Sequence, residues 1–240
     1  MSISTHLTRG MLRAGKVLGA ALLPQDCFLC GAAAGNDLLC SACAADLPRM
    51  PAALCSICAL PTPGDALCGG CLRKAPYFDA THACFRYAFP VDRLVQSLKY
   101  NHRLAVSAFL GEALLETVPR TTRADMIMAL PLAPQRLQGR GFNQALEIAR
   151  PLARRLRLPL AITGYKRTLN NAPQASLPWK ERQKNIRGAF ECALDLSGKS
   201  LIVIDDVMTT GATLNEFART LKNHGAARVT NWVVARALKD

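Results

Sequence analysis

The sequence predicts an α/β protein in which a mostly parallel, twisted sheet flanked by helices follows a small N-terminal zinc-ribbon module. Aliphatic, strand-like runs alternate with helical patterns through the C-terminal half, as in a parallel sheet with crossover helices. Eight of the ten cysteines form four Cys-x-x-Cys pairs between Cys27 and Cys71, a metal-binding rather than a disulfide pattern. With 240 residues, half of them apolar, the chain can form one full α/β domain with an appendage.

In chain order, residues 1–24 are expected to form an amphipathic helix. Arg9, Arg13 and Lys16 precede the apolar stretch from Val17 to Leu23, and Pro24 ends it. That stretch only reaches the lower limit of a signal-peptide core, about 7 residues, and clustered Cys-x-x-Cys pairs suit a reducing compartment, so a cytoplasmic location is expected. No window approaches the roughly 20 uninterrupted apolar residues of a membrane span.

Residues 25–72 are expected to form a double zinc ribbon. Cys27, Cys30, Cys40 and Cys43 make one Cys-x2-Cys-x9-Cys-x2-Cys unit, and Cys55, Cys58, Cys68 and Cys71 repeat it. Each Cys-x-x-Cys offers two thiolates from one tight turn, and two such turns close a tetrahedron around a structural Zn²⁺. Two Zn²⁺ are expected, with sequence-order pairing and outer-with-inner pairing both open. The metals would supply the folding energy that so small a core lacks. Cys84 and Cys192 read as buried small hydrophobes.

A bridging segment, 73–124, holds a strand-like alternation from Ala80 to Ala88. It is followed by Val91, Leu94, Val95 and Leu98 at helical spacing and a further helical pattern over 104–115. Within 125–240, Asp125 to Leu130 reads as a buried strand, Asn143 to Leu156 as a helix and Leu158 to Ile162 as a strand. From Tyr165 to Phe190 the pattern dissolves into polar and basic residues, too long for an ordinary connection and hence a candidate lid. Lys199 to Asp206 is the clearest strand, because the run from Leu201 to Ile204 suits burial on both faces of a parallel sheet. A helix from Thr213 to His224, ended by Gly225, and a strand near Val229 to Ala235 complete the chain.

The net charge of +13 is unevenly distributed. Met1 to Cys71 holds four basic and four acidic residues, and the remainder holds 26 against 13. Such a bias favours polyanionic ligands without distinguishing a pyrophosphate from a nucleic acid.

The chemistry concentrates in Ile204-Asp205-Asp206-Val207-Met208-Thr209-Thr210-Gly211-Ala212-Thr213-Leu214. Two acids stand at the end of a parallel strand, where ligands of open α/β sheets bind. The Thr/Gly turn after them opens a helix, so amides, hydroxyls and the helix dipole favour a phosphate. The acids would repel that phosphate and so suit sugar hydroxyls or a water-bridged Mg²⁺. The string lacks the Gly-Lys-Ser/Thr of a P-loop.

This string resembles the phosphoribosyl pyrophosphate motif of type I phosphoribosyltransferases. With the paired Cys-x-x-Cys ribbons, Leu98-Lys99-Tyr100, the stretch from Pro131 to Gln144 and the long basic loop, the chain is similar over nearly its full length to the ComF family of competence-associated proteins. The resemblance implies the type I phosphoribosyltransferase fold over 125–240, with 73–124 as its bridging or hood segment. It also implies binding of phosphoribosyl pyrophosphate with Mg²⁺. Asp205 and Asp206 would hold the ribose hydroxyls, and Thr209, Thr210, Gly211, Ala212 and Thr213 would cradle the 5′-phosphate. Pro131 to Gln144 resembles the pyrophosphate loop, where Arg136 and Arg140 would grip the anion as guanidinium forks.

The basic loop, with Lys166, Arg167, Lys180, Arg182, Lys184 and Arg187, resembles the lid, in which Asn185 and Arg187 lie nearest the next strand. Asp205, Asp206, Arg140 and Arg187 are thus the expected catalytic set. Thr209 stands where purine salvage enzymes with this motif carry an acidic base, which disfavours guanine or hypoxanthine as acceptor. The resulting expectation is a phosphoribosyltransferase of unknown nucleophile, linked to DNA uptake or utilisation and natural transformation, with DNA-uptake proteins as partners. The alternative is a non-catalytic adaptor for single-stranded DNA that uses phosphoribosyl pyrophosphate only as a ligand. The aromatic content of 6% makes a stacking platform thin.

Overall fold

The computed structural model describes residues 25–101, 103–119, 123–168 and 186–238. The helix expected over 1–24, and Lys180, Arg182, Lys184 and Asn185 of the basic loop, lie outside the described residues. The chain divides into two compact units between Leu47 and Pro48, so the boundary falls between the two cysteine quartets.

In the first unit, β1 (Gln25–Asp26) pairs antiparallel with β2 (Ala33–Gly35), and α1 (Ser41–Ala45) follows. The turn between the strands closes through Cys27 N to Ala32 O at 2.7 Å and Gly31 N to Cys27 O at 2.9 Å. Cys40 caps α1, its Sγ accepting from Cys43 N at 3.5 Å. The second quartet repeats this local plan inside the second unit: Cys55 N donates to Leu60 O at 2.8 Å, Ala59 N donates to Cys55 O at 2.8 Å, and Cys68 caps α2 (Gly69–Arg73).

The rest of the second unit builds the sheet. β3 (Ala80–Arg86) leads into α3 (Val91–Tyr100), whose Val91, Leu94, Val95 and Leu98 are all fully buried, as their spacing requires. α4 (Ala105–Thr117) and β4 (Met126–Ala129) follow. The stretch expected to be a pyrophosphate loop is largely helical: Pro134 opens α5 (Pro134–Arg140), and Gly141 closes it at φ 75°. Proline at the first helical position and a left-handed glycine after the last are ordinary stop signals, hidden by the shortness of the helix. Asn143 then caps α6 (Gln144–Leu156) by accepting from Ala145 N at 3.0 Å, and β5 (Leu160–Ala161) ends this crossover.

The basic loop differs from its expectation at its feet. β6 (Tyr165–Arg167) pairs antiparallel with β7 (Phe190–Cys192), making a ribbon that carries the intervening residues. Phe190 and Tyr165 pack on Phe217, with ring centroids 5.0 and 5.7 Å apart. β8 (Ser200–Met208), α7 (Ala212–Asn223) and β9 (Arg228–Arg236) complete the chain.

The sheet order is β3-β9-β8-β4-β5, all parallel. α4 and α6 cover one face, and α7 lies on the other. On the α7 side, Phe217, Leu214 and Leu221 share a core with Val203, Val233 and Met128 and with Cys55, Cys58, Ala59 and Cys71 of the second ribbon. The second quartet is therefore part of the α/β core. Loss of Cys55 and Cys58 would reach that core and not only the ribbon.

Glu216 of α7 docks the returning foot of the ribbon. Its carboxylate accepts from Gly188 N at 2.6 Å and from Arg219 Nε and a terminal nitrogen at 2.9 and 2.6 Å. Burial works to raise its pKa, but the Arg219 and Gly188 donors outweigh that and hold it below the ordinary 4.5. A depressed carboxylate stabilises the fold above the unfolded value, and the contribution is lost as the pH falls through the folded one. Glu216→Gln should therefore lower stability at pH 7 by about 1.5–3 kcal/mol. In denaturant titrations the gap to wild type should close toward pH 3; a gap independent of pH would show that the charge does not contribute.

Candidate functional site

In each quartet the four Sγ atoms lie within 4.8 Å of one another, and both groups form in sequence order: Cys27, Cys30, Cys40, Cys43 and Cys55, Cys58, Cys68, Cys71. This decides the pairing that the spacing leaves open. Cys30 and Cys40 sulfurs are 3.7 Å apart, and those of Cys58 and Cys68 are 3.5 Å apart. A tetrahedron with Zn–S bonds of about 2.3 Å has edges of about 3.8 Å, so the sulfurs are spaced as ligands. N–H donors on Cys40 and Cys68 sulfurs stabilise thiolate charge further. The two sites are structural Zn²⁺ centres. Cys84 lies outside them, and burial pushes its thiol up to about 12.

A second feature is a cleft of about 180 Å³ at the C-terminal ends of β4 and β8, bounded by α3, α5 and the start of α7. Its floor is the end of β8. Side chains alternate along a strand, so Asp205 shares the face of Val203 and Asp206 the opposite one, where it meets Lys99 of α3 in an ion pair. Both carboxyls are nearly inaccessible to solvent, at 9% and 4% exposure. Burial, and then the Asp206 charge, push the Asp205 pKa well above its ordinary 3.8. Burial opposes ionisation of Asp206 too, but Lys99 outweighs it, and the Asp205 carboxyl and Gln144 add hydrogen bonds, so Asp206 stays below 3.8. The two carboxyls thus titrate as a pair, in which burial disfavours charge on Asp205 and Lys99 favours it on Asp206.

Beyond the acids, the Thr209–Thr213 turn leads into α7 with no side-chain cap on Gly211 and Thr210 Oγ1 3.3 Å from Ala212 N. Thr209 and Thr210 are exposed at the mouth. The first amides of a helix lack intrahelical acceptors, so this turn presents donors and a positive dipole end to the cleft. Gly211 adopts φ +79°, and a Cβ there would sit 2.5 Å from Met208 Cε and 3.8 Å from Phe78 Cζ. Glycine is favoured chiefly by the left-handed backbone conformation, and a Cβ would also displace the Met208 methyl under the turn.

Arg136 and Arg140 of α5 line the opposite wall. Arg140 donates to Gln144 Oε1 at 2.9 Å, and its guanidinium carbon stands 5.3 Å from the centroid of the Tyr100 ring. Asn143 Nδ2 donates to Leu130 O at 3.0 Å, drawing together the two ends of the segment that carries both arginines. Tyr165 OH donates to Ala161 O at 3.0 Å and accepts from Ala129 N at 3.2 Å, fixing the ribbon foot to the end of β4.

Asp205, Asp206, Thr209, Thr210, Gly211, Ala212, Thr213, Arg136 and Arg140 all come together around this cleft. Arg187 does not line it: it is exposed near Glu216, whereas Arg167 at the opposite foot of the ribbon does line it. Burial, followed by repulsion from Arg136, lowers the pKa of Arg167, while Asp205 offsets part of this. Sequence reasoning gave no site role to Lys99 or Gln144 and counted Arg167 only among the lid's charges. A buried acid pair calls for a nearby cation, but only the tertiary fold shows that the cation comes from α3.

Comparison with known proteins agrees with this architecture. The family described as a phosphoribosyl transferase domain matches residues 143–240, and that described as a double zinc ribbon domain matches residues 18–72. The chain is 34% identical over 225 residues to the DNA utilization protein YhgH of Escherichia coli K12, covering 90% of this chain and 99% of that protein. It is 30% identical to competence protein F of Haemophilus influenzae, covering 83% and 90%, and 26% identical to competence protein ComFC of Bacillus subtilis, covering 84% and 85%. An N-terminal double zinc ribbon joined to a type I phosphoribosyltransferase fold, matched almost end to end by these relatives, makes this chain a member of the ComF family.

Proposed function

We propose that the cleft binds phosphoribosyl pyrophosphate together with Mg²⁺, and that the protein serves the use or import of DNA. The observation that carries the reading is the juxtaposition, in one cleft, of a buried acid pair, a helix N-terminus and a basic wall. A phosphoribosyl pyrophosphate molecule presents the matching sequence of hydroxyls, one phosphate and one pyrophosphate. The Thr209–Thr213 amides and hydroxyls take the 5′-phosphate, the acid pair takes the ribose hydroxyls, and Arg136, Arg140 and Arg167 take the pyrophosphate. The donor set favours hydroxyls over direct metal coordination, because both acids are buried and Asp206 is already matched by Lys99. Mg²⁺ accompanies the pyrophosphate and reaches the acids only through water.

Such a site is suited to phosphoribosyl transfer. The C1′–O bond breaks with its electron pair leaving on pyrophosphate, whose charge the arginines offset, and a nitrogen nucleophile forms the new bond at C1′. Thr209 supplies no acidic base at neutral pH, so an acceptor that must lose a proton in the reaction is disfavoured. The names of the relatives support the link to DNA utilisation and competence. Reduced thiolates at both zinc centres support the cytoplasm as the site of action. Among the described residues, no helix is long and apolar enough to cross a membrane.

A second reading is a single-strand-handling adaptor with phosphoribosyl pyrophosphate as a ligand only. The 65% exposed Tyr100, beside Arg140, favours it by offering a base-stacking face next to phosphate-binding charges.

Calorimetry tests both readings. Asp205→Asn with Asp206→Asn removes at least the charged acceptor of Asp206, worth about 1.5–3 kcal/mol, so affinity for phosphoribosyl pyrophosphate should fall at least about tenfold while pyrophosphate alone is far less affected. Equal affinity for wild type and double variant would overturn the assignment. Single-stranded DNA that binds wild type and double variant alike, with strong salt dependence, would place DNA on a separate electrostatic surface.

The Lys99 to Asp206 pair generates a stability prediction of its own. Lys99→Met leaves a buried carboxylate uncompensated and should cost about 3–5 kcal/mol. Adding Asp206→Asn should restore a large part of that loss, whereas additive losses would mean the two residues do not act as a pair.

A further inference from the structure

Arg236, at the end of β9, is 4% exposed, and its guanidinium binds backbone rather than acid. Nε donates to Cys58 O at 3.0 Å. One terminal nitrogen, with two N–H groups, shares them among Met208 O at 3.0 Å, Ala237 O at 2.8 Å and Thr209 O. No carboxylate among the described residues forms an ion pair with it. A buried cation without a counter-ion is costly. The Cys58 carbonyl that it binds belongs to a ligand of the second quartet. Four thiolates around one Zn²⁺ carry a net charge of about −2, which makes the second quartet the anion this arginine lacks.

The same side chain touches the turn described above. Met208 and Thr209 are the residues through which β8 passes into the phosphate turn, and Met208 is also the residue that Gly211 packs against. One rigid fork thus spans from a zinc ligand's carbonyl to the two carbonyls that open the turn. A lysine could supply the charge there but not the planar, multi-donor geometry.

We propose that Arg236 is a positioning residue for the phosphate turn and that the zinc-loaded second quartet is its counter-ion, so that the turn's conformation depends on the metal bound by Cys55, Cys58, Cys68 and Cys71. The inference rests on the reading of 209–213 as a phosphate cradle for its functional consequence, but not for its structural one. The second zinc centre then has a task beyond folding the ribbon: it fixes the amides that would face the ligand phosphate.

Amide hydrogen exchange on the full-length, zinc-loaded protein tests the strut directly. Arg236→Met should retain zinc while exchange at 208–213 rises at least about tenfold, and amides 201–204 of β8 should stay protected. Cys68→Ser should remove one zinc and raise exchange at 208–213 in the wild-type background, yet add little in the Arg236→Met background. Arg236→Lys keeps the buried charge and serves if the Met variant fails to fold; it should loosen the same amides. Unchanged exchange at 208–213 in a folded Arg236 variant would overturn the proposal, as would equal deprotection of 201–204 in that variant, or fully additive effects of the zinc and arginine changes at 208–213. Affinity for phosphoribosyl pyrophosphate with Mg²⁺ should fall at least about tenfold alongside the loosening. Wild type that fails to bind phosphoribosyl pyrophosphate would overturn the ligand assignment while leaving the exchange result to decide the strut.

Discussion

Two adjacent carboxyls buried at the end of the central strand impose a constraint that organises everything around them. In a low-dielectric site two such neighbours cannot both ionise without compensation. Here burial and the Asp206 charge raise the Asp205 pKa, and Lys99 supplies the cation that favours charge on Asp206. That solution requires α3 to approach the C-terminal edge of β8, which its fully buried face of Val91, Leu94, Val95 and Leu98 secures. Burial of acids is expensive, and a fold without a ligand to recognise would gain by replacing them with apolar residues. Their position at the ligand side of a parallel sheet gives that expense a functional reason.

The zinc centres contribute differently from one another. The first quartet belongs to its own compact unit, while the second shares the core that includes Phe217 and Val203. The two have the same ligand spacing and the same local hydrogen bonds, so the difference arises from what surrounds them. Ala59 is wholly buried and Cys58 nearly so, and the Cys58 carbonyl is satisfied by an arginine contributed from 178 residues later in the chain. Metal loss at the second centre therefore bears on the core of the sheet.

Much of this was legible in the sequence. The long apolar run of β8, the amphipathic spacing of α3 and the ordered string from Asp205 to Thr213 each carry their own physical signature, and the strands and helices formed where those signatures stood. Short elements were not legible: α5 has only seven residues, and the β6 to β7 ribbon joins two three-residue strands across the basic loop. Tertiary contacts, not local preference, stabilise such pieces. The same limit applied to the site. Asp205 and Asp206 announce themselves by position, whereas Lys99 and Gln144, though they lie in stretches that carry the resemblance, and Arg236 act through contacts made across the fold that nothing local specifies. Arg167 shows the reverse error, since a residue read as part of a mobile run sits on a strand facing the cleft.

The central claim is that one cleft recognises three chemical groups held in a fixed order by a single ligand. The direct measurement is a calorimetric comparison, on the wild-type zinc-loaded protein with Mg²⁺, of phosphoribosyl pyrophosphate with ribose 5-phosphate and with pyrophosphate. The account predicts that the whole molecule binds more tightly than either fragment, by at least about tenfold, because its parts engage the turn, the acids and the basic wall together. A whole molecule that binds no better than pyrophosphate alone would contradict it, since only the basic wall would then be at work.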